Sequence, residues 1–377
     1  MTATSRPRIM VVGPFPPTTG GVTTFMLNLM SSPLANDFDF VRFSISRPPK
    51  PDVTDNWGYG AVLRGGVLRV AAGVLVTLGN LARFPFALVS ERADMVQIQA
   101  SDYFAFWEPA LYAAMARALR RPVSFRIGGA FDMFFDRSSR LVRRVIRAAL
   151  NLPDMVIVQS DFSRRAVAEA GRSGRVLILP NWLQAALPAQ GASPRNPVPT
   201  FLFIAGSEAI RKGVDDVLLA ARQLADAGVA VHVHMINAPP TLGVRIGALG
   251  LNGHFTVDGP LSHGEVLAAM GRADAFLLPS RGEGFPNSLV EAFAIGLPSI
   301  VTAVGAVPEM IASGGALTVP PADPAALAAA MMRLASDAEL RARLGAEARR
   351  AALERYMPER VLLPLAAAYR QLVAVRS

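Results

Sequence analysis

Residues 275–302, AFLLPSRGEGFPNSLVEAFAIGLPSIVT, hold one strand–loop–helix–strand unit, and their reading decides the fold. AFLL (275–278) and SIVT (299–302) are continuous apolar runs, the pattern of parallel strands covered on both faces. Between them a glycine-bearing loop leads into a helix predicted to start near Asn287 and Ser288, both suited to capping an N-terminus. The alternation continues outward. FLFIA (201–205), VAVHVHMI (229–236) and HFTV (254–257) precede this unit, and ALTV (316–319) follows it. Helical patterns intervene, such as 213–226 with Val214, Val217, Leu218, Ala221 and Leu224 on one face. The first half carries its own series: RIMVV (8–12), FDFVRF (38–43), DMVQIQ (94–99), PVSFRI (122–127), DMVIV (154–158) and RVLIL (175–179). Two such series predict an α/β protein with two Rossmann-like domains, each a parallel sheet layered with helices.

The boundary is visible as QAALPAQGASPRNPVPT (184–200), which carries four prolines and no apolar periodicity. The expected organisation is an N-terminal domain over 1–185, a linker over 186–199 and a C-terminal domain over 200–355. Helices are expected at 324–336 and 337–355, with a Pro364-interrupted helical tail over 356–377. A chain of 377 residues is long enough for two domains at ~150 residues each.

Composition narrows the chemistry. The chain has no cysteine, which excludes disulfides, thiolate metal sites and cysteine nucleophiles. Its four histidines, His232, His234, His254 and His263, are too few for a histidine-rich metal centre. A 51% hydrophobic, 18% charged chain is not a disordered one. The start, MTATSRPRIMVVGPFPPTTGG, offers few apolar residues before Pro14, short of the roughly 7–15 of a secretory segment. The expectation is a cytoplasmic protein. A mean hydropathy of +0.33 raises the question of a membrane span, which needs ~20 apolar residues. VAAGVLVTLGNLA (70–82) is bounded by Arg69 and Arg83, and Gly296, Pro298, Gly305 and Pro308 break the uncharged run at 292–308. Neither is expected to span, which leaves peripheral attachment open.

Charge is lopsided. Residues 1–190 hold 22 Lys and Arg against 13 Asp and Glu, whereas residues 191–377 hold 16 of each, so the whole net charge of +9 lies in the first half. Only two of the cations are lysines, Lys50 and Lys212.

Two constellations carry chemistry. In EGFPNSLVE (283–291), Glu283 lies in the loop before a helix and Glu291 about one turn inside it. The amides of Gly284, Phe285, Pro286, Asn287, Ser288 and Leu289 form the loop and helix start, where sugar hydroxyls or phosphate oxygens are well received. Carboxylates there accept hydroxyl protons. A capped helix whose glutamates merely favour its dipole is the plain alternative. In FLFIAGSEAIRKGVDDVLLAARQL (201–224), a strand ends at Gly206 and Arg211-Lys212-Gly213 precede a helix. Adjacent cations at a helix N-terminus are unfavourable, so an anion is expected to compensate. A diphosphate would do so. A solvated loop with two surface charges is the alternative. Asp215 and Asp216, in that helix's first turn, need no functional explanation. GPFPPTTGG (13–21) after the first strand is glycine-bearing but has neither the Rossmann nor the P-loop spacing.

The RKG after the first strand of the second half, followed by E-x7-E as EGFPNSLVE, resembles retaining glycosyltransferase family 4 of the GT-B fold. The resemblance continues through VGAVPEM (304–310) to Arg355-Tyr356, and GPFPPTTGG matches more loosely. It implies two Rossmann-like domains facing across a cleft, with the C-terminal helix returning to the N-terminal domain. It implies that Glu283 lies near the transferred sugar, that Glu291 accepts the ribose hydroxyls, and that Arg211 and Lys212 stabilise the departing nucleoside diphosphate. Residues 284–289 would hold the donor, together with Gly206, and Gly20 and Gly21 would let backbone approach its phosphate. The implied reaction retains anomeric configuration, needs no metal or other cofactor, and takes a nucleotide-sugar donor to a saccharide or lipid-linked acceptor in polysaccharide or glycolipid synthesis. Nucleic acid is not an expected partner.

Two departures stand out. Where many family members carry a His-Gly pair, this chain reads SFRIGGAF (124–131), with Ile127 at that place and no histidine before His232. Arg126 or Asp132 is the candidate acceptor contact instead. The usual glycine-rich turn after the second C-terminal strand is INAPP (236–240). Two rival readings are a nucleotide-sugar 2-epimerase and a catalytically silent sugar-nucleotide-binding partner in a polysaccharide assembly. His232 and His234 share a strand face and are expected to be buried and hydrogen-bonded. Finally, Arg140, Arg143, Arg144 and Arg147 form a helical stripe, with Leu141, Val145, Ile146 and Ala149 away from it. The stripe is read either as a solvated helix face or as a contact for the anionic inner face of the cytoplasmic membrane.

Overall fold

The computed structural model describes residues 6–16, 18, 21–46, 67–183 and 196–374. Gly20, Lys50 and most of the expected linker (184–195) lie outside the described residues. The chain divides into two compact units, one running to Asn181 and resuming at Pro358, the other Trp182–Met357.

The first unit is built on a parallel sheet of β1 (Arg8–Gly13), β2 (Asp39–Ser44), β3 (Met95–Ala100), β4 (Val123–Ile127), β5 (Met155–Val158) and β6 (Arg175–Ile178). Their order is β2-β1-β3-β4-β5-β6. The second carries β7 (Thr200–Ile204), β8 (His232–Ile236), β9 (Phe255–Val257), β10 (Ala275–Leu278), β11 (Ser299–Thr302) and β12 (Ala316–Val319), ordered β12-β11-β10-β7-β8-β9. Each strand falls on one of the apolar runs read from the sequence. Every pairing is parallel, so helices cover the sheets and the central strands are buried on both faces. β3, β4, β5, β10 and β11 have no exposed residue.

Eight of the helices matter below: α1 (Gly21–Met30), α2 (Val67–Ser90), α3 (Phe104–Ala118), α4 (Arg140–Leu150), α5 (Val214–Asp226), α6 (His263–Arg272), α7 (Asn287–Ile295) and α8 (Pro358–Ala374). Two extend beyond what was read. α2 runs past both ends of the apolar run 70–82, through Arg83 and Pro85 to Ser90, because one arginine, a good helix former, does not end a helix. α8 likewise continues through Pro364. It belongs to the first unit: Tyr369 is fully buried and donates to Gln97 Oε1 at 2.8 Å, and Arg370 pairs with Asp37 at 2.6 Å. Burial pushes the Tyr369 phenol far above its ordinary range, so it remains a donor.

Candidate active site

The chain leaves β7 towards β8 and β9, and later enters β10 on the opposite side of β7 before moving out to β11 and β12. In open parallel sheets the crevice beyond the carboxyl ends at such a reversal receives ligands. The two loops that leave these carboxyl ends carry Arg211 with Lys212 and Glu283. One glycine permits their close approach, and a second lets the loop after β11 back against Glu283. Gly213 adopts φ +84°, and a Cβ there would lie 2.2 Å from the Pro279 carbonyl oxygen. Gly305 adopts φ +57°, and its Cβ would lie 1.6 Å from the Glu283 carbonyl oxygen. Neither position accepts a side chain without movement of the backbone it touches.

Arg211 and Glu283 therefore meet. Arg211 Nη1 stands 3.6 Å from Glu283 Oε1 and donates to the Gly282 carbonyl, while Nη2 pairs with Glu208. Burial acts to lower the Arg211 pKa, and the Glu283 and Glu208 carboxylates outweigh it, so the pKa is raised and the guanidinium stays charged. These carboxylates answer half of the expectation that an anion compensates the cation pair. The Lys212 ammonium, half-buried, has no ion-pair partner among the described residues. Glu283, with its side chain 8% exposed, also accepts from the Ser280 hydroxyl at 2.7 Å. Ser280 is in turn held by Thr302, whose hydroxyl donates to its carbonyl.

The helix after this loop starts as expected but is capped differently. Pro286 occupies the N-cap without a side-chain hydrogen bond, so Asn287 and Ser288 are the first helical residues. Pro286 has no N–H, and the Leu289 amide is already bonded to the Pro286 carbonyl at 3.1 Å. The amides of Gly284, Phe285 and Ser288 are left without a backbone partner among the described residues. Phe285 packs edge-on against Tyr356, 5.8 Å between centroids. Gly206, at φ +63°, faces open space beyond β7. Glu291 Oε1 meets His263 Nε2 at 3.0 Å, and this hydrogen bond raises the His263 pKa above 6.5.

Several positioning groups were not anticipated. Asp216 is buried and pairs with Arg281 at 3.3 Å, tying α5 to the loop that holds Glu283, and Arg281 N–H bonds the Arg211 carbonyl at 2.8 Å. Asp215 pairs with Arg245 at 2.5 Å. His263 and Glu208 also went unread. The signal available was a carboxylate three residues before Arg211, the i,i+3 spacing of an ion pair.

In the first unit, Gly21 opens α1. Arg126, on β4, is fully buried, its Nη1 3.2 Å from Gln99 Oε1, its Nη2 2.6 Å from Asn181 Oδ1 and its guanidinium 3.6 Å from the Phe25 ring centre. Burial lowers its pKa to about 9. Asp132 is half-buried on the short helix Phe131–Asp136, and burial pushes its carboxyl pKa up, with Asp136 and Asp102 adding to the rise. No hydrogen bond or ion pair joins Arg126 to Asp132 among the described residues. The α4 stripe is divided. Half-buried Arg143 bonds the Phe135 and Ser138 carbonyls at 3.0 Å, while Arg140, Arg144 and Arg147 are exposed, Arg147 bonding the Ala170 carbonyl at 3.3 Å. Leu141 and Val145 are exposed as well, so only Ile146, Ala149 and Leu150 form the buried side of α4. His232 and His234 are half-buried and bond Thr256 and Asp258 at 2.9 and 2.7 Å.

Two parallel six-stranded sheets, with cations and carboxylates at the reversal point of the second, define a GT-B architecture. Among solved structures, sucrose-phosphate synthase from Thermosynechococcus elongatus matches with a TM-score of 0.78 at 19% identity, over 98% of this chain and 100% of that one. Anabaena HepE, solved in complex with UDP, matches with a TM-score of 0.71 at 16% identity, over 97% and 100%. These share the fold. The model for Glycosyltransferase Family 4 matches residues 19–186, and that for Glycosyl transferases group 1 matches residues 190–351. The chain belongs to the glycosyltransferase family 4 type of GT-B proteins. An MMP alpha-(1->4)-mannosyltransferase of Mycolicibacterium hassiacum is 30% identical over 270 residues, 69% of this chain and 62% of the relative's length.

Proposed function

We propose that the protein is a retaining, metal-independent glycosyltransferase, with a nucleotide-sugar donor bound by the second unit and a saccharide or lipid-linked acceptor by the first. The observation that carries this reading is the Arg211–Lys212 pair beside Glu283 at the reversal point of the second sheet. The bond between the anomeric carbon and the diphosphate oxygen breaks, and the acceptor hydroxyl oxygen bonds that carbon from the same face. The hydroxyl proton passes to the departing phosphate oxygen. Charge grows on the diphosphate during this step, and in this reading Arg211, Lys212 and the free amides before α7 offset it. Glu283 accepts hydrogen bonds from the sugar and Glu291 from the ribose. Support comes from the family membership, from the mannosyltransferase relative and from the UDP bound by HepE.

The test is incubation with a panel of nucleotide sugars, with and without saccharide and lipid-linked acceptors, in EDTA. Acceptor-dependent release of nucleoside diphosphate, with the product's anomeric configuration matching the donor's by NMR, is the expected result. Acceptor-independent donor conversion, an inverted product or loss of activity in EDTA overturns the corresponding part.

A further inference from the structure

α2 is apolar almost all the way round, yet it lies on the surface. Ala71–Ser90 is long and apolar enough to cross a membrane, by length and composition, and only 11% of it is buried. Within Ala71–Ser90 the only charged residue is Arg83; Arg69 precedes that stretch in α2. Leu75 is 68% exposed and Phe86 76%, with Val74, Leu78 and Val89 also outward. A surface helix of a soluble domain turns a polar face to water, and one without such a face belongs in a core or in lipid.

The second half of α2 is anchored. Phe84 and Leu88 are fully buried in the core of the first unit, and Arg83 donates to the Ser44 carbonyl at 3.3 Å. The helix is thus held against its own sheet and cannot turn to cross a bilayer. Its first half is different. α2 and α3 both run from the carboxyl edge of the first sheet to its amino edge, and Thr77 donates to Glu108, one turn into α3, at 3.3 Å. At 1.5 Å per residue, residues 67–76 therefore reach ~9 Å beyond the start of α3. That edge is where such sheets take their ligands. Phe104 and Leu111, both exposed, share the face of Glu108 by helical spacing and continue the apolar surface.

Charge selects the occupant. The first half of the chain carries the entire excess of +9. A second copy docked on this face would bring two basic units together, whereas an anionic leaflet is attracted to one. We propose that the outward face of α2, with Phe104 and Leu111, inserts into the acyl boundary of an anionic bilayer. The first sheet's ligand edge is then held at the headgroups, where a lipid-linked acceptor would be presented. That last consequence rests on the glycosyltransferase reading; the docking does not.

The experiment is flotation with phosphatidylglycerol-containing and with pure phosphatidylcholine vesicles, across a salt series. It compares the parent with Leu75→Glu/Leu78→Glu, the milder Leu75→Ser/Leu78→Ser and Arg140→Gln/Arg144→Gln. Expected is binding to anionic vesicles that falls at least tenfold in the glutamate variant and falls less in the serine one. Donor hydrolysis without vesicles is expected to stay at the parent rate in both, which separates this test from that of the active site. Three results overturn the proposal: equal flotation of parent and both α2 variants, loss confined to the arginine variant, or no flotation together with a parent dimer that the α2 variants abolish in light scattering.

Discussion

The guanidinium of Arg211 lies 3.6 Å from the carboxylate of Glu283, joining the loop after β7 to the loop after β10. The charge of Arg211 is thus shared between two carboxylates, Glu283 and Glu208. Lys212 brings a charge that no carboxylate of the described residues neutralises. The loop containing Glu283 is also fixed from behind by Gly305, and from the side by the ion pair between buried Asp216 and exposed Arg281.

Gly305→Ala must displace the Glu283 backbone, since the added carbon would sit 1.6 Å from its carbonyl oxygen. A shift of about 1 Å in a positioning loop can cost ~10²-fold in rate. The expected outcome is a loss of that size in kcat/KM, while the far-UV spectrum and nucleoside diphosphate binding stay near the parent's. Unchanged kcat/KM would show that Glu283 need not be held where it is.

Glu291→Ala is expected to weaken binding of the bare nucleoside diphosphate. Glu283→Gln keeps the side chain's size beside Arg211 and is expected to weaken only the sugar-bearing donor. Calorimetry with both ligands on both variants checks the pair. Equal weakening of the bare diphosphate by the two would show that the two carboxylates do not divide the donor between them.

The His263–Glu291 bond raises the folded-state pKa of His263 above the ordinary 6.5. The pair therefore stabilises the fold fully below that unfolded value, and the contribution fades as pH rises through the raised one. His263 is 44% exposed, so solvent screening limits the pair, to about 0.5 kcal/mol. His263→Gln should lower the melting temperature slightly at pH 5.5 and leave it unchanged at pH 9. A larger drop at pH 9 than at pH 5.5 would contradict the sign.

The twelve strands were legible because parallel strands buried on both faces must be written as apolar runs, whatever the helices between them contain. RKG and EGFPNSLVE were legible as local chemistry, but the contact between Arg211 and Glu283 was not. It depends on β7 and β10 being neighbours, which sequence order does not state, and on Gly213, whose positive φ only the fold sets. α2 misled for a different reason. Arg83 looked like a stop, yet a charge ends an apolar run without ending a helix. Arg126 is the least readable residue of all: an arginine in a strand gives no sign that it will be buried against Phe25, with only amide oxygens for partners.

The most direct test of the account is transient kinetics of Lys212→Ala, compared with the parent for donor Kd and for the rate of the chemical step. Charge on the leaving diphosphate grows in the transition state, so Lys212 should act more there than in the ground state. The account predicts a Kd within a few-fold of the parent's and a chemical step slower by on the order of 10²–10³, equivalent to roughly 3–4 kcal/mol of barrier. Arg211→Ala should show the same loss of rate with a further loss of donor affinity, because it also releases Glu283. A Lys212→Ala enzyme with the parent's rate at saturating donor and only a raised Kd would contradict the assignment of this pair to leaving-group stabilisation.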